Sequence, residues 1–339
     1  MKKLSSSRLI QCCFTDIDHL AVALNTRRNL QLTQLSTQKF RADLVLVTFD
    51  EVLFSFAKAS CPVYNLGEKA KDYLDFSCVL EPDDHQAGIV SHNQKLSRGH
   101  LFGFDSSRGI KLVVPANLKF CTVQIRRDIF QDCLEAMERP DIDQRFLMTN
   151  HILIPATLPV IQAYLAELLK LSQKQAELLN LPQLKQLILE DFVPLLISTI
   201  PPCSQKLAKP LRPMRHAALV QRLEDYMLAN LDQPLTLKDL CRSVNTSSRS
   251  IFYGFQAIFG MSPMAYLKVQ RLHGVRRRLQ VADPEASNIT AISNQFGFWS
   301  AGHFARDYKK MFGELPSQTK LQSRVPHIKG VEPRIRQWS

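Results

Sequence analysis

The sequence lacks most of the signatures that mark an enzyme, a metal protein or a membrane protein. It contains no G-x-x-x-x-G-K-[ST] phosphate loop, no G-x-S-x-G nucleophile elbow and no dinucleotide-binding glycine fingerprint. Its eight cysteines (12, 13, 61, 78, 121, 133, 203 and 241) are scattered and form no C-x-x-C pair, so neither a zinc site nor a disulfide framework is indicated. The longest apolar run, Val193 to Ile200, contains Pro194, Ser198 and Thr199 and is far too short to cross a bilayer. Near the N-terminus, Ser5-Ser6-Ser7-Arg8 interrupts any apolar core of a signal peptide. These absences predict a cytoplasmic protein with reduced, mostly structural thiols and no membrane partner.

Histidine is present but poorly arranged for a metal. His85, His92 and His100 stand near Asp83 and Asp84 on three separate segments. A metal-binding barrel of the cupin type needs two histidines one residue apart, a glutamate soon after and a third histidine later. That spacing is missing. No metal ligand, no catalytic residue and no cofactor is assigned, and any cofactor-binding residues are unknown.

What the chain does have is charge of one sign, concentrated at one end. Residues 1–203 carry 22 basic and 22 acidic side chains, whereas residues 204–339 carry 21 and nine, so the formal net charge of +12 lies in the last two-fifths. A neutral domain followed by a basic one predicts a polyanion as the partner of the second. With 339 residues and 45% hydrophobic content, two domains with cores of their own are expected.

The boundary falls in Ile200 to His216, where prolines 201, 202, 210 and 213 mix with Lys and Arg. This composition makes a stiff linker. Before it, residues 30–130 read as β: Ala42 to Ala57 gives two apolar runs broken at Asp50-Glu51, a hairpin, and "DFSCVLEP", "AGIVSHNQ", "HLFGFDSS" and "IKLVVPANLKFCTVQIRR" continue the pattern. Short strands at this spacing predict a β-barrel or sandwich. From Arg127 the pattern turns helical, with Leu158, Ile161, Leu165 and Leu168 on one stripe that could serve as core or as a dimer seam.

After the linker the sequence repeats itself. "LTLKDLCRSVNTSSRSIFYGFQAIFGMSP" (Leu235 to Pro263) aligns with "NITAISNQFGFWSAGHFARDYKKMFGELP" (Asn288 to Pro316). Leu237, Leu240 and Val244 match Ile289, Ile292 and Phe296; Ile251, Phe255 and Phe259 match Phe304, Tyr308 and Phe312. Small Cys241 and Ser293 mark close approach, Asn245 and Gly297 suit a positive φ, and Ser247 and Ser300 sit where a hydroxyl caps a helix. Gly260 and Gly313 stop each second helix, with Pro263 and Pro316 three residues on. Each copy is therefore helix, tight turn, helix. Ser262 to Pro284 forms one long basic helix between them, His216 to Pro234 leads in, and seven helices are expected in all. Gly274, inside the long helix, reads as a weak point of about 1 kcal/mol against Ala. Trp299 is expected to pack in the second turn.

These residues carry a resemblance. The P-x-x-L-x-x-L start at Pro234, the Ser-x-x-x-Ile-x-x-x-Phe helix with "FGMSP", the "YLKVQRL" helix and "GFWSAGHFARDYKKMFGELPS" together resemble the DNA-binding domain of AraC/XylS-family transcription regulators. The resemblance covers residues 216–320, and residues 1–200 are only loosely similar to the cupin-like sensory halves of that family. It implies an α+β two-domain chain: 1–200 a β-barrel, cupin-like sensory and dimerisation domain with helices; 201–215 a linker; 216–320 an all-α domain with two helix-turn-helix units; 321–339 a basic tail. It further implies a transcription activator, not an enzyme, with double-stranded DNA and RNA polymerase as partners, and with a small-molecule effector and a homodimer as further possibilities.

Matching positions give the DNA-facing residues. In the first unit they are Ser248, Arg249, Phe252, Tyr253 and Gln256, with Arg249 suited to guanine, Gln256 to adenine or phosphate, and Phe252 to a thymine methyl. The family's usual arginine is replaced by Tyr253, which suits a phosphate instead. In the second unit they are Ala301, Gly302, His303 and Arg306, with Lys309 and Lys310 beyond. Two other readings compete: a DNA-directed enzyme of the alkylation-repair type, for which Cys61-Pro62 is the nearest match, and a redox sensor built on adjacent Cys12-Cys13.

Overall fold

The computed structural model describes residues 8–25, 28–49, 51–80, 88–105, 107–148, 155–202, 214–283 and 287–322. Most of the linker (203–213), most of the basic tail (323–339), Asp50, Pro284 and the Asp83, Asp84 and His85 cluster lie outside them.

The N-terminal half is built on two antiparallel five-stranded sheets. The first runs β1 (Arg8–Phe14), β3 (Ala42–Phe49), β4 (Val52–Ala59), β10 (Phe120–Arg126), β6 (Tyr73–Val79). The second runs β2 (Asn29–Gln34), β5 (Val63–Glu68), β9 (Ile110–Val114), β7 (Ile89–Ser91), β8 (Gln94–Leu96). The expected hairpin is present, with Phe49 opposite Val52. "HLFGFDSS" departs from the expectation of a strand: Gly103 takes φ 100° and only an isolated bridge, Ser77 to Phe102, forms. Among the described residues the two sheets form separate ladders, so no closed barrel is built.

The first sheet is buried on both faces, which explains why β3 reads as an almost unbroken apolar run. Val45 and Val47 face a core shared with the helices α2 (Arg127–Ala136), α4 (Leu158–Lys174) and α5 (Pro182–Thr199), the four-residue helix α3 (Gln144–Leu147) lying between the first two. Leu44 and Leu46 face the other way, toward the second sheet and α1 (Ile17–Leu24). The stripe of Leu158, Ile161, Leu165 and Leu168 is buried in the first of these cores. It is therefore packed within the chain and is not a free dimer seam.

The C-terminal half is helical, as its repeat requires: α6 (Ala217–Ala229), α7 (Leu237–Ser243), α8 (Ser248–Phe259), α9 (Pro263–Val281), α10 (Ile289–Gln295), α11 (Ala301–Phe312) and α12 (Pro316–Gln322). Its core is continuous. Ile251, Phe255 and Phe259 of α8, Tyr266, Leu272 and Val275 of α9, and Phe304 and Tyr308 of α11 form one cluster, each large side chain worth about 1.5–3 kcal/mol of burial. That cluster also takes in Tyr64, Val90 and Val113 from the second sheet, with Leu35 just past β2. The molecule is thus stacked as helices, sheet, sheet, helices, with the two halves joined by shared core rather than by the linker alone.

Polar contacts reinforce the join. The Tyr64 and Phe259 rings meet edge to face at 5.5 Å. The Gln34 backbone N–H donates to His273 Nε2 at 3.2 Å, and Lys111 pairs with buried Glu224, which also accepts from the Tyr266 hydroxyl at 2.7 Å. Arg276, only 2% exposed, reaches Asp16, Asp18 and Glu314 at once. The middle of α9, read from sequence as part of one long basic helix, is largely interior.

Candidate nucleic-acid interface

Local chemistry sets each helix pair. The first helix, α7, starts with a reciprocal cap: Thr236 Oγ1 accepts from the Asp239 N–H at 3.3 Å and Asp239 Oδ2 accepts from the Thr236 N–H at 2.9 Å. The Thr236 hydroxyl, donating to Asp239 Oδ2 at 2.6 Å, and then the Thr236 N–H hold the Asp239 carboxyl below its usual range. Asn288 caps α10 without a return bond, its Oδ1 accepting from the Thr290 N–H at 2.8 Å. The turns then use positive φ, 49° at Asn245 and 77° at Gly297. Ser247 caps α8, its Oγ accepting from the Ser250 N–H at 3.4 Å, but the Ser300 side chain makes no capping bond to α11. The structure departs from the sequence expectation at that one cap.

Close approach is achieved by glycine within helices. A Cβ at Gly254 would stand 2.5 Å from Val220 Cγ2, so α8 packs directly on α6. At Gly274 a Cβ would stand 2.4 Å from Phe296 Cε1. Gly274 is therefore a seat for the Phe296 ring, not a defect of α9. Phe298 stacks toward Phe304 with centroids 5.1 Å apart. With these two phenylalanines filling the turn, Trp299 has no place inside and is 73% exposed, contrary to the packing expected of it.

The faces opposite the core carry the anticipated residues. Ser248, Arg249, Phe252, Tyr253 and Gln256 are all exposed on α8, and Ala301, Gly302, His303, Arg306, Lys309 and Lys310 are all exposed on α11. On α8 the Arg249 guanidinium lies 5.5 Å from the Tyr253 ring centroid, and its Nη2 donates to the Tyr253 hydroxyl at 3.5 Å. This contact restrains a long side chain on the outer surface. On α11 the single acid, Asp307, is drawn to Lys268 of α9 at 2.6 Å. The remaining outward charge of α11 is positive, and Trp299 stands just before its first turn.

The competing chemistry has less support. Cys61 is fully buried and burial pushes its thiol up to about 11, which disfavours a reactive thiolate. Burial, assisted by Cys13, raises Cys12; burial and Asp43 raise Cys13. The residues that sequence reasoning missed are those between the halves, Asp16, Asp18 and Glu224, whose partners lie far away in the chain, and Glu314, which joins Arg276 within the C-terminal half. Only the box Thr236-x-x-Asp239 had a local signal.

Comparison with known proteins follows the same division of the chain. Residues 240–322 match the model of a family described as "Helix-turn-helix domain". The "Probable thc operon regulatory protein" of Rhodococcus erythropolis is 40% identical over 100 residues, 30% of each chain. "XylDLEGF operon transcriptional activator 3" of Pseudomonas putida is 34% identical over 101 residues, 30% of this chain and 29% of that one. A solved structure titled as a probable AraC family transcriptional regulator from Rhodopseudomonas palustris CGA009 is 40% identical, covers 32% of this chain and 99% of its own, and superposes with a TM-score of 0.30. The chain spans about 30% of the length of these curated relatives.

Proposed function

We propose that the chain, which carries a helix-turn-helix domain of the AraC/XylS type at its C-terminus, is as a whole a sequence-specific, DNA-binding activator of transcription acting in the cytoplasm. The observation that carries this reading is the pair of repeated helices, α8 and α11, whose outward faces present Arg249, Gln256, His303, Arg306, Lys309 and Lys310 while their inward faces share one core. Helix α7 with α8 and α10 with α11 act as two helix-turn-helix units. Each second helix enters a major groove, and α9 fixes the units on one face of the duplex, about 34 Å apart.

Roles follow from chemistry and position. Arg249 and Arg306 are base readers for guanine, Gln256 and His303 supplement them, and Phe252 meets a thymine methyl. Ser248, Tyr253, Lys309, Lys310 and exposed Trp299 contact the backbone, while small Ala301 and Gly302 allow α11 close approach. Residues 1–200 act as a cupin-like sensory domain around the space between the two sheets, 201–215 link it to residues 216–320, and 321–339 add basic charge. An effector bound in the first part, RNA polymerase contact and a homodimer formed through a surface other than the α4 stripe complete the proposal.

The test is to map the DNA sites bound by the full chain, then titrate one of them against salt. Log K should fall steeply with log salt as counterions are released, and footprints should cover two successive groove segments without a palindrome. A flat salt response would count decisively against DNA as the partner.

A further inference from the structure

The space between the two sheets holds an arginine with unmet hydrogen-bonding capacity. Arg28, just before β2, has a side chain only 9% exposed and lines a cavity of ≈110 Å³. Its Nε lies 3.6 Å from Asp75 Oδ2, close enough for charge attraction but beyond hydrogen-bond reach. Both Nε and Nη2 are buried without a hydrogen-bond partner. Asp75 is itself partly engaged, Oδ1 accepting from Gln124 Nε2 at 3.0 Å. Leaving two charged donors of one guanidinium unsatisfied costs free energy that a fitting acceptor would recover.

The surroundings favour an anion. Arg28, Lys58, Lys69 and Lys111 line the cavity against the single carboxylate of Asp75. Lys69 donates to the carbonyl oxygens of Gly103, at 2.7 Å, and Asp105, and the carboxylates of Asp75 and Asp105 offset part of its charge. Lys111 is compensated by Glu224, whereas Asp75 is shared between Arg28 and Lys69, so the positive potential centres on that pair. His92 registers that field: burial, then the charges of Lys69, Arg108 and Lys111, push its imidazole down to about 4. The rest of the wall is mostly apolar, with Leu24, Leu30, Leu112, Val114, Leu118 and Phe120 prominent beside a few polar side chains such as Asn65, Ser77 and Thr122. The volume is comparable with the ~150 Å³ of a dry cavity that accepts benzene.

We propose that this cavity is the effector site and that it takes a small organic acid, one carboxylate on a compact apolar body, with the carboxylate accepting from Arg28 Nε and Nη2 in a two-point contact. The assignment rests on the sensory reading of the N-terminal half. Helix α1 gives it an outlet, since Leu20 and Leu24 line the cavity while Asp16 and Asp18, at the other end, hold Arg276 of α9.

Binding is measured by calorimetry and thermal shift on the full chain without DNA, using benzoate and hexanoate against the neutral benzamide and hexanol. The acids should bind and raise the melting temperature, with their neutral counterparts about tenfold or more weaker. Arg28→Gln should erase that preference, and Arg28→Lys, which keeps the charge but not the fork, should retain only part of it. Should Arg28→Gln fail to fold, the acid-versus-amide comparison on the unaltered protein and the Arg28→Lys variant still decide. Equal binding of acid and amide, undiminished acid binding by Arg28→Lys, or no acid binding at millimolar concentration overturns the assignment. Because no DNA is present, a failure here is distinct from a failure of the regulatory role, which the footprint and salt titration address.

Discussion

Arg276 Nε donates to Asp18 Oδ2 at 2.6 Å, joining residues 258 positions apart. The same guanidinium reaches Asp16 and, at 2.7 Å, Glu314 Oε1, so one buried cation ties the first helix, the long helix α9 and the segment after α11. Burial alone would disfavour its charge, but Asp16 and Asp18 outweigh that and hold it more firmly protonated than an ordinary arginine. Asp18 answers in kind: burial opposes its ionisation, yet Arg276 keeps its carboxyl below the usual range.

Asp18→Asn should therefore destabilise the chain by about 1–3 kcal/mol, less than the loss of a sole partner because Asp16 and Glu314 remain. Urea unfolding at neutral pH measures it. An unchanged midpoint and slope would mean that the pair's attraction only balances its desolvation.

Acid should weaken the fold before carboxylates titrate. Burial pushes His273 down to about 3 and His92 to about 4, against an ordinary value of 6.5. A histidine whose folded value is depressed stabilises the neutral protein fully above about 6.5, and that stability is lost as pH falls toward the folded value. Each contributes a slope of up to about 1.4 kcal/mol per pH unit in that window. His273 faces Asp18, Arg276 and Arg277, and its neutral Nε2 accepts from the Gln34 N–H at 3.2 Å, a bond that protonation would exchange for donation to the Gln34 carbonyl at 3.3 Å. The urea midpoint should thus drop between about pH 6.5 and 4, and His273→Gln should flatten the decline; an identical pH profile in that variant would dismiss His273 as its source.

Gly274→Ala tests packing against helix propensity. Propensity alone predicts a gain of about 1 kcal/mol. The Phe296 ring, 2.4 Å from the new methyl, predicts instead a net loss of about 1–3 kcal/mol. Thermal melts of the full chain give the sign, and a higher melting temperature would show that the ring yields.

Two substitutions on α11 separate reading from attraction. Arg306→Ala should cost about 1–3 kcal/mol on the specific site and relax selectivity at one base pair. Lys310→Ala should weaken specific and random DNA alike, as a phosphate contact does. Equal losses on both DNAs from both variants would remove Arg306 from the base readers.

Legibility in the sequence followed the range of the interactions. The repeat was readable because caps, turn residues and the i, i+4, i+8 stripe are local: Ser247, Asn245 and Gly260 act within a few residues of where they stand. The hairpin at Phe49 and Val52 was readable for the same reason. β1 and α1 fell outside the predicted β region, which began near residue 30. Charge deceived where its partner was distant, since nothing near Arg276 in sequence announces Asp16 or Asp18. Gly274 and Trp299 were misjudged together, because both depend on where Phe296 and Phe298 lie in space. The outward positions of α8 and α11 followed from the inward stripe, but their contacts with bases depend on a duplex that the chain alone does not contain.

The edge-to-face contact of Tyr64 with Phe259 bears on how such a chain can be recombined. Phe259 belongs to a helix whose outer face carries the proposed DNA contacts, and Tyr64 belongs to a sheet whose other side borders the Arg28 cavity. Cutting at the proline linker would separate the sequences cleanly but tear a common interior, exposing apolar surface on both pieces. A chimera that grafts residues 214–322 onto a foreign N-terminal half must therefore bring its own counterpart to Tyr64, Val90 and Val113. Modularity here ends one layer inside the apparent boundary, and the transplantable unit includes the facing surface of the second sheet.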